Sequence, residues 1–135
     1  MKICFSSDPC HLANVRREAR AFLAGNGFDD CATELMVLAL DEACTNVIRH
    51  AYAHARKPVR LEMTALRRLV RFVLRDYGRA CDPAKIKSRK LEDIRPGGLG
   101  VHIIKQAFDS VTYLPQPKGT RLVLEKRRPA SPTTT

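Results

Sequence analysis

The chain has 135 residues, of which 44% are hydrophobic and 28% are charged, as is typical of one globular domain with its own core. No stretch approaches the roughly 18 uninterrupted apolar residues that cross a bilayer, and no signal-peptide pattern occurs, so we expect a cytoplasmic protein with no membrane partner. Five cysteines without a CxxC pair favour reduced, small apolar residues over a disulfide framework or a zinc site.

The net charge of +10 raises the question of a polyanionic partner. Lysine and arginine are concentrated in residues 56–75, 85–95 and 126–128. Aromatic residues do not alternate with these charges, as they would in a protein that stacks the bases of a single strand. The sequence therefore does not favour a nucleic acid, and the charge suits a nucleotide or an acidic protein partner.

The N-terminal part of the chain predicts one strand and two helices. Residues 2–6 predict the strand, and Asp8 followed by Pro9 is typical of a helix N-cap with proline at the first helical position. Apolar residues at helical spacing predict a helix that GNG at 25–27 ends. A second helix is predicted from residue 29 or 30 to about residue 53.

The rest of the chain predicts four strands, one long loop and one helix. Alternating apolar and polar residues predict a hairpin of strands 59–65 and 69–76, and GGLG precedes a helix after a charged loop at 77–97. Two closing strands follow, at 110–114 and 120–126. The predicted order is β-α-α-β-β-loop-α-β-β, an α+β two-layer sandwich with a mixed, mainly antiparallel sheet and helices on one face. We expect one domain over 1–128 and a disordered tail over 129–135.

The second predicted helix carries two polar residues on an inward-facing stripe. This stripe begins apolar and then turns polar: Leu35, Leu38, Ala39, Glu42 and Asn46. The neighbouring stripe stays apolar: Met36, Leu40, Ala43 and Val47. Unpaired burial of a carboxylate or an amide is costly. Either Glu42 and Asn46 reach water or backbone at the rim of the helix, or they form a pocket floor, with Glu42 as a base or a water-orienting group and Asn46 as an oxygen ligand for a hard cation such as Mg²⁺.

Asp76 continues the parity of Val70, Phe72 and Leu74, so its side chain should point to the core face of the sheet. Gly78 follows, which gives the backbone room to turn and a flat ligand room to approach. An aspartate in this place can also do no more than cap the end of the strand. Asp76 is therefore a candidate ligand-binding residue with a structural alternative.

Two further patterns are compatible with nucleotide binding. The first is a helix start preceded by Gly97, Gly98 and Gly100. The first N–H groups of such a helix have no internal partners and can hold a phosphate, although a helix start without a binding role would show the same pattern. Thr120 shares the parity of Leu122 and so points inward, although threonine is also simply a good strand former.

In chain order, these motifs resemble those of the Bergerat-fold ATPases, the superfamily of gyrase, chaperone, histidine-kinase and mismatch-repair ATPases. The segment EACTN resembles the N box (ExxxN), DYGRA resembles the first glycine box (DxGxG), and GGLG resembles the second (GxG). From about residue 5 to 127 the chain is most similar to the anti-sigma-factor serine kinases. The resemblance implies a histidine-kinase-like ATPase fold, ATP and Mg²⁺ as cofactors, a sigma factor and an anti-sigma-factor antagonist as partners, and allows a homodimer.

The resemblance also implies roles for the matching residues. Glu42 would be the catalytic base and Asn46 would hold Mg²⁺. Asp76 would accept a hydrogen bond from the adenine amino group, and Gly78 would admit the ring. Ala80 stands where the first glycine box has its second glycine, so its methyl group is either tolerated or crowds the nucleotide.

The second glycine box and the last strand complete the implied site. The backbone at Gly98, Leu99 and Gly100 would reach the phosphates, and Thr120 would help to fix adenine. Residues 82–97 would form the ATP lid.

Three functions are compatible with these motifs. The first is a protein serine/threonine kinase, and the second is a nucleotide-binding regulatory interaction module with little or no kinase activity. The third, the ATP-binding half of a histidine kinase, is disfavoured because no dimerisation helices with a phosphoacceptor histidine precede the core. All four histidines lie within it.

Overall fold

The computed structural model describes residues 1–52, 55–78 and 99–129 of the chain. The strands are β1 (Lys2–Ser6), β2 (Pro58–Ala65), β3 (Leu69–Arg75), β4 (Ser110–Pro115) and β5 (Thr120–Arg127). The α-helices are α1 (Leu12–Gly25), α2 (Asp30–Asn46) and α3 (Leu99–Ala107). The predicted order of elements is confirmed. Most of the predicted loop, at 79–97, and residues 130–135 of the predicted tail lie outside the described residues. No described helix has the length and apolar character that a membrane span requires.

The five strands form one sheet in the order β1-β2-β3-β5-β4. Each of its described pairings is antiparallel, including that of β1 with β2. This confirms the predicted α+β fold and makes the sheet more uniform than the mixed sheet that we expected. β3 and β5 lie side by side near the middle of the sheet. Because they are antiparallel, the C-terminal end of β3 lies beside the N-terminal end of β5.

The helices cover one face of the sheet, where the inward residues of the strands form the core. Phe72 lies at its centre and is fully buried. Its ring makes edge-to-face contacts with Phe22 of α1, at 5.6 Å between centroids, and with Phe108 after α3, at 5.7 Å. Such aromatic pairs contribute about 0.5–1.5 kcal/mol each beyond the buried area. Phe72 therefore fastens both flanking helices to the middle strand.

The helix starts follow the capping residues that the sequence indicates. The Asp8 side chain accepts a hydrogen bond from the Cys10 backbone N–H at 3.0 Å. The capped element is a short 3₁₀ turn, Pro9–His11, and α1 begins only after it. Asp29 caps α2 by accepting from the Ala32 N–H at 2.8 Å. Both caps satisfy N–H groups that have no partner inside the helix.

The second helix differs from its prediction in two respects. Its α-helical part ends at Asn46, and a π-helical turn, Val47–Ala51, continues it. The predicted buried stripe is also wrong at its apolar end, because Leu35 is 38% and Leu38 is 45% exposed. The sheet and the neighbouring helices cover only about half of the circumference of α2, and Leu35 and Leu38 lie outside that arc.

The apolar stripe predicted for the same helix is confirmed. Met36, Leu40, Ala43 and Val47 are all buried in the core. Glu42 and Asn46 lie at the border of the buried arc and are half-buried. They therefore occupy the rim of the helix and not the fully inward positions that the stripe predicted.

Candidate functional site

Asp76 lies at the exit of β3 and is only 5% exposed. Its position on the helix-covered face agrees with its predicted parity. One carboxylate oxygen, Oδ1, accepts a hydrogen bond from the Gly78 N–H at 3.1 Å. Burial raises the pKa of Asp76 above its ordinary value, while the backbone N–H groups of Gly78 and Thr120 and the Arg75 guanidinium oppose that rise. Asp76 is thus a desolvated carboxylate that gains from any further hydrogen-bond donor.

Thr120 joins the start of β5 to this carboxylate. It is 6% exposed, as its inward parity predicted. Its carbonyl oxygen accepts a hydrogen bond from the Asp76 backbone N–H at 3.0 Å. Asp76 therefore contacts both Gly78, two residues along the chain, and Thr120, from which the sequence separates it by more than 40 residues.

Gly119 is a site residue that the sequence motifs did not reveal. Its backbone φ of +84° lies in the left-handed region, which favours glycine. A Cβ at this position would collide with the Asp76 carbonyl oxygen and would lie 2.7 Å from the Cα of Tyr77. The turn before β5 thus packs in direct contact with the backbone of Asp76 and Tyr77. The only signal in the sequence is a glycine next to the candidate Thr120.

Tyr52 is a second residue that the sequence analysis missed. Its buried hydroxyl donates a hydrogen bond to the Pro58 carbonyl and accepts one from the Tyr77 N–H at 2.8 Å. Burial raises the pKa of Tyr52, and the hydrogen bond from Tyr77 opposes this rise. Tyr52 follows the π-helical turn after Asn46, so it ties the end of the α2 segment to the exit of β3. An aromatic residue with a hydroxyl at the end of the N-box segment was the available signal.

Glu42 and Asn46 lie one turn apart on the rim of α2. Across the described ranges, neither side chain has a hydrogen-bond or ion-pair partner. The π-helical turn begins directly after Asn46, and such turns interrupt helices most often at functional sites. Cys44, on the opposite side of the helix, is buried, and this burial raises its pKa to about 12. The buried Cys44 thiol is therefore not a reactive group, and Glu42 and Asn46 remain the candidate functional side chains of this helix.

The remaining predicted site residues fall at the start of α3 or outside the described ranges. Leu99 and Gly100 are the first two residues of α3, which packs against α2. Gly98, Ala80 and the predicted lid at 82–97 lie outside the described residues.

The described side chains include no group of three or more histidine, cysteine, aspartate or glutamate residues that could hold a metal ion together. A Mg²⁺ ion that is bound with a nucleotide needs only one or two protein oxygens, because phosphate and water supply the rest. The side-chain oxygen of Asn46 is a ligand of the required hard type.

Comparison with known proteins places this geometry in a family. The profile of the histidine kinase-like ATPase domain matches residues 5–126. The chain belongs to the histidine kinase-like ATPase domain family. The solved histidine kinase domain of the blue-light activated histidine kinase EL346 from Erythrobacter litoralis has a similar fold, with a TM-score of 0.56 at 14% identity. The match covers 87% of this chain and 59% of that chain.

Two curated relatives are protein kinases. The serine/threonine-protein kinase BtrW of Bordetella bronchiseptica is 30% identical over 83 residues, which cover 58% of each protein. The serine-protein kinase RsbW of Staphylococcus aureus is 29% identical over 127 residues, which cover 87% of this chain and 79% of the relative. The motif resemblance to serine kinases of this superfamily is thereby confirmed.

Proposed function

We propose that the protein is an ATP-dependent protein serine/threonine kinase of the anti-sigma-factor type, which binds a sigma factor and phosphorylates an anti-sigma-factor antagonist. The observation that carries the proposal is a buried carboxylate, Asp76, on the same face of the sheet as a helix with two polar groups, Glu42 and Asn46, that have no partner among the described residues. The names of the two curated relatives support the activity. The partners follow from the motif resemblance.

The buried carboxylate suits recognition of adenine. Asp76 has exchanged water for a few backbone N–H groups, and burial still raises its pKa. An exocyclic amino group would give it one more donor, whereas a carbonyl oxygen in the same place would face it with a second acceptor. Adenine offers the amino group and guanine the carbonyl. Asp76 would therefore favour ATP over GTP.

The rim of α2 suits phosphoryl transfer. Bound MgATP would supply the phosphoryl group and the cation that neutralises its charge. Asn46 would provide a hard oxygen ligand to Mg²⁺, and Glu42 would accept the proton of a serine or threonine hydroxyl on the protein substrate. Both side chains are half-buried, so a protein substrate can reach them from solvent.

A regulatory module that binds nucleotide without efficient transfer is the second candidate. Its support is Ala80, which replaces a glycine of the first glycine box. The retained pair of Glu42 and Asn46 favours the kinase, because a module that only binds has no need of a base.

Paired substitutions on α2 test the proposal. Glu42→Gln keeps size and hydrogen bonding but removes basicity, so we expect near-normal MgATP binding and a loss of phosphoryl transfer of about 10²–10⁴-fold. Asn46→Ala should also lose the Mg²⁺-dependent part of ATP binding. The measurements are calorimetric ATP titration with and without Mg²⁺, and transfer of labelled phosphate to an antagonist-type protein that copurifies with the chain.

Glu34→Gln is the matched control, because Glu34 lies on the same helix but pairs with Arg20 on the protein surface. It should retain both binding and transfer. Transfer by Glu42→Gln at the wild-type rate would contradict the assignment of the base, and the regulatory module would then replace the kinase.

A further inference from the structure

The face of the sheet opposite the helices is strongly basic. Strand alternation turns one set of side chains away from the core, and we call the surface that they form the helix-free face. No element among the described ranges covers it. Its basic residues are Lys2, Arg60, Arg71, Arg75, Arg121 and Arg127, and its acidic residues are Glu62 and Glu125.

Three arginines of this face lie in one line across the sheet. Arg60 of β2 is in register with Arg75 of β3, and Arg75 is in register with Arg121 of β5. We call these three residues the arginine row. Neighbouring strands are about 4.8 Å apart, so the row places the backbone positions of three arginines within about 10 Å. Like charges directly opposite one another destabilise a sheet, so the row needs compensation.

The carboxylates of the face supply little of that compensation. Glu125 is already bonded to Arg71, at 2.7 Å. Glu62 forms an ion pair with Arg60, 3.4 Å from its Nε, and a looser one with Lys2 at 3.9 Å. The acidic groups are thus occupied by Arg71, Arg60 and Lys2, and neither pairs with Arg75 or Arg121.

The other two members of the row are turned toward carbonyl groups and solvent. Arg75 donates hydrogen bonds to the carbonyl oxygens of Asp76 and Thr120, and its guanidinium lies 4.4 Å from the centroid of the Tyr77 ring. Arg121 is exposed, and within the described ranges it has no hydrogen-bond or ion-pair partner. The row therefore presents uncompensated positive charge to the outside.

Apolar side chains border the arginine row. Val123 is half-buried and lies on the same face, two residues along β5 from Arg121, whereas Val73, which is in register with it, is buried beneath its neighbours. Leu114 of β4 is paired with Arg121 and is 40% exposed. Arginine beside apolar side chains is typical of protein–protein interfaces, in which arginine is enriched and lysine is depleted relative to the rest of the surface.

We propose that the helix-free face binds an acidic protein segment, with carboxylates on the arginine row and apolar side chains on Val123 and Leu114. Charge complementarity selects this partner, because a second copy of the chain would bring one arginine row against another. A phosphate backbone has no apolar groups to match Val123 and Leu114, and the Tyr77 ring beside the row already lies against the Arg75 guanidinium, which limits its stacking on a base. The proposal does not depend on kinase activity.

Selection of peptides on the full chain tests the proposal. A displayed library of random peptides is selected on the wild type, and the enriched peptides are labelled and titrated by fluorescence anisotropy. We expect enriched peptides in which aspartate or glutamate alternates with apolar residues. Arg121→Glu should weaken them by about tenfold or more, and Arg121→Gln, which only removes the charge, should weaken them less.

Arg67→Glu is the control with the same change of charge. Arg67 is exposed in the turn between β2 and β3, about 20 Å along the strands from the row, so binding should be unchanged. Enriched peptides without acidic residues, or an equal loss with Arg67→Glu, would overturn the proposal. Tighter, Arg121-dependent binding of a DNA oligonucleotide would assign the face to nucleic acid. A change of sedimentation with Arg121→Glu alone would assign it to self-association.

Discussion

Substitution of Gly119 by alanine tests whether the turn before β5 holds the exit of β3 in position. The new Cβ would collide with the Asp76 carbonyl oxygen, and it would lie 2.6 Å from the carbonyl carbon of Asp76 and 2.7 Å from the Cα of Tyr77. These atoms belong to the backbone and cannot rotate away. An ordinary contact between carbon atoms is about 3.5–4.0 Å, so the turn and the exit of β3 must separate by roughly an ångström.

Two costs of this substitution add. A residue with a Cβ in the left-handed region loses about 1–2 kcal/mol, and overpacking against fixed backbone costs a further 1–3 kcal/mol or so. We therefore expect the free energy of unfolding of Gly119→Ala to fall by about 2–5 kcal/mol, which for a domain of this size lowers Tm by roughly 6–20 °C. Because the displaced backbone carries Asp76, ATP affinity should fall by about tenfold or more in the protein that remains folded.

The chain contains two matched controls. Gly27 has a φ of +89°, but a Cβ there would meet only the Pro129 side chain at 3.9 Å, so Gly27→Ala should show the backbone cost without the clash. A Cβ at Gly25 would meet nothing within 4 Å, so Gly25→Ala should be nearly neutral. Neither control should alter ATP binding. The measurements are urea unfolding at constant pH and calorimetric titration with ATP.

The reasoning fails if Gly119→Ala and Gly27→Ala lose the same free energy of unfolding, since the clash would then contribute nothing. A folded Gly119→Ala variant with wild-type ATP affinity would separate this turn from the nucleotide site.

Further predictions concern the residues that Gly119 supports. Asp76→Asn should weaken ATP by about 1–3 kcal/mol, the cost of losing a charged hydrogen-bond partner, and equal affinities of the wild type for ATP and GTP would contradict the adenine assignment. Because burial raises the pKa of Asp76, the folded state binds this proton more tightly than the unfolded state, so the contribution of Asp76 to the free energy of unfolding should fall as the pH rises from 3.8 through the folded pKa. In urea unfolding across that range, the stability of the wild type should decline relative to that of Asp76→Asn, and identical slopes would refute the shift. Tyr52→Phe leaves the buried Tyr77 N–H without its acceptor and should cost about 1–3 kcal/mol of stability, whereas an unchanged urea midpoint would show that water replaces the hydroxyl.

The sequence by itself determined the elements and the faces on which their residues lie. A strand alternates with a period of two and a cap needs only its own helix, so the inward position of Asp76, the cap at Asp8 and the start of α2 at residue 29 or 30 followed from local spacing. The motifs also led to the correct family. Exposure around α2 did not follow, because helical periodicity defines a stripe but not how much of the helix the rest of the fold will cover. Leu38 was therefore predicted to be buried and is exposed.

Only the tertiary structure decided which distant residues meet. Gly119 contacts the backbone of Asp76, and Tyr52 is hydrogen-bonded to Tyr77. Both contacts form because the start of β5 and the end of the α2 segment lie beside the C-terminal end of β3. The alignment of Arg75 with Arg121 likewise depends on the register of β3 with β5, and a shift by one residue would turn one of the two arginines to the opposite face. That register is set by the packing of the whole inner face on the helices, which no local pattern contains.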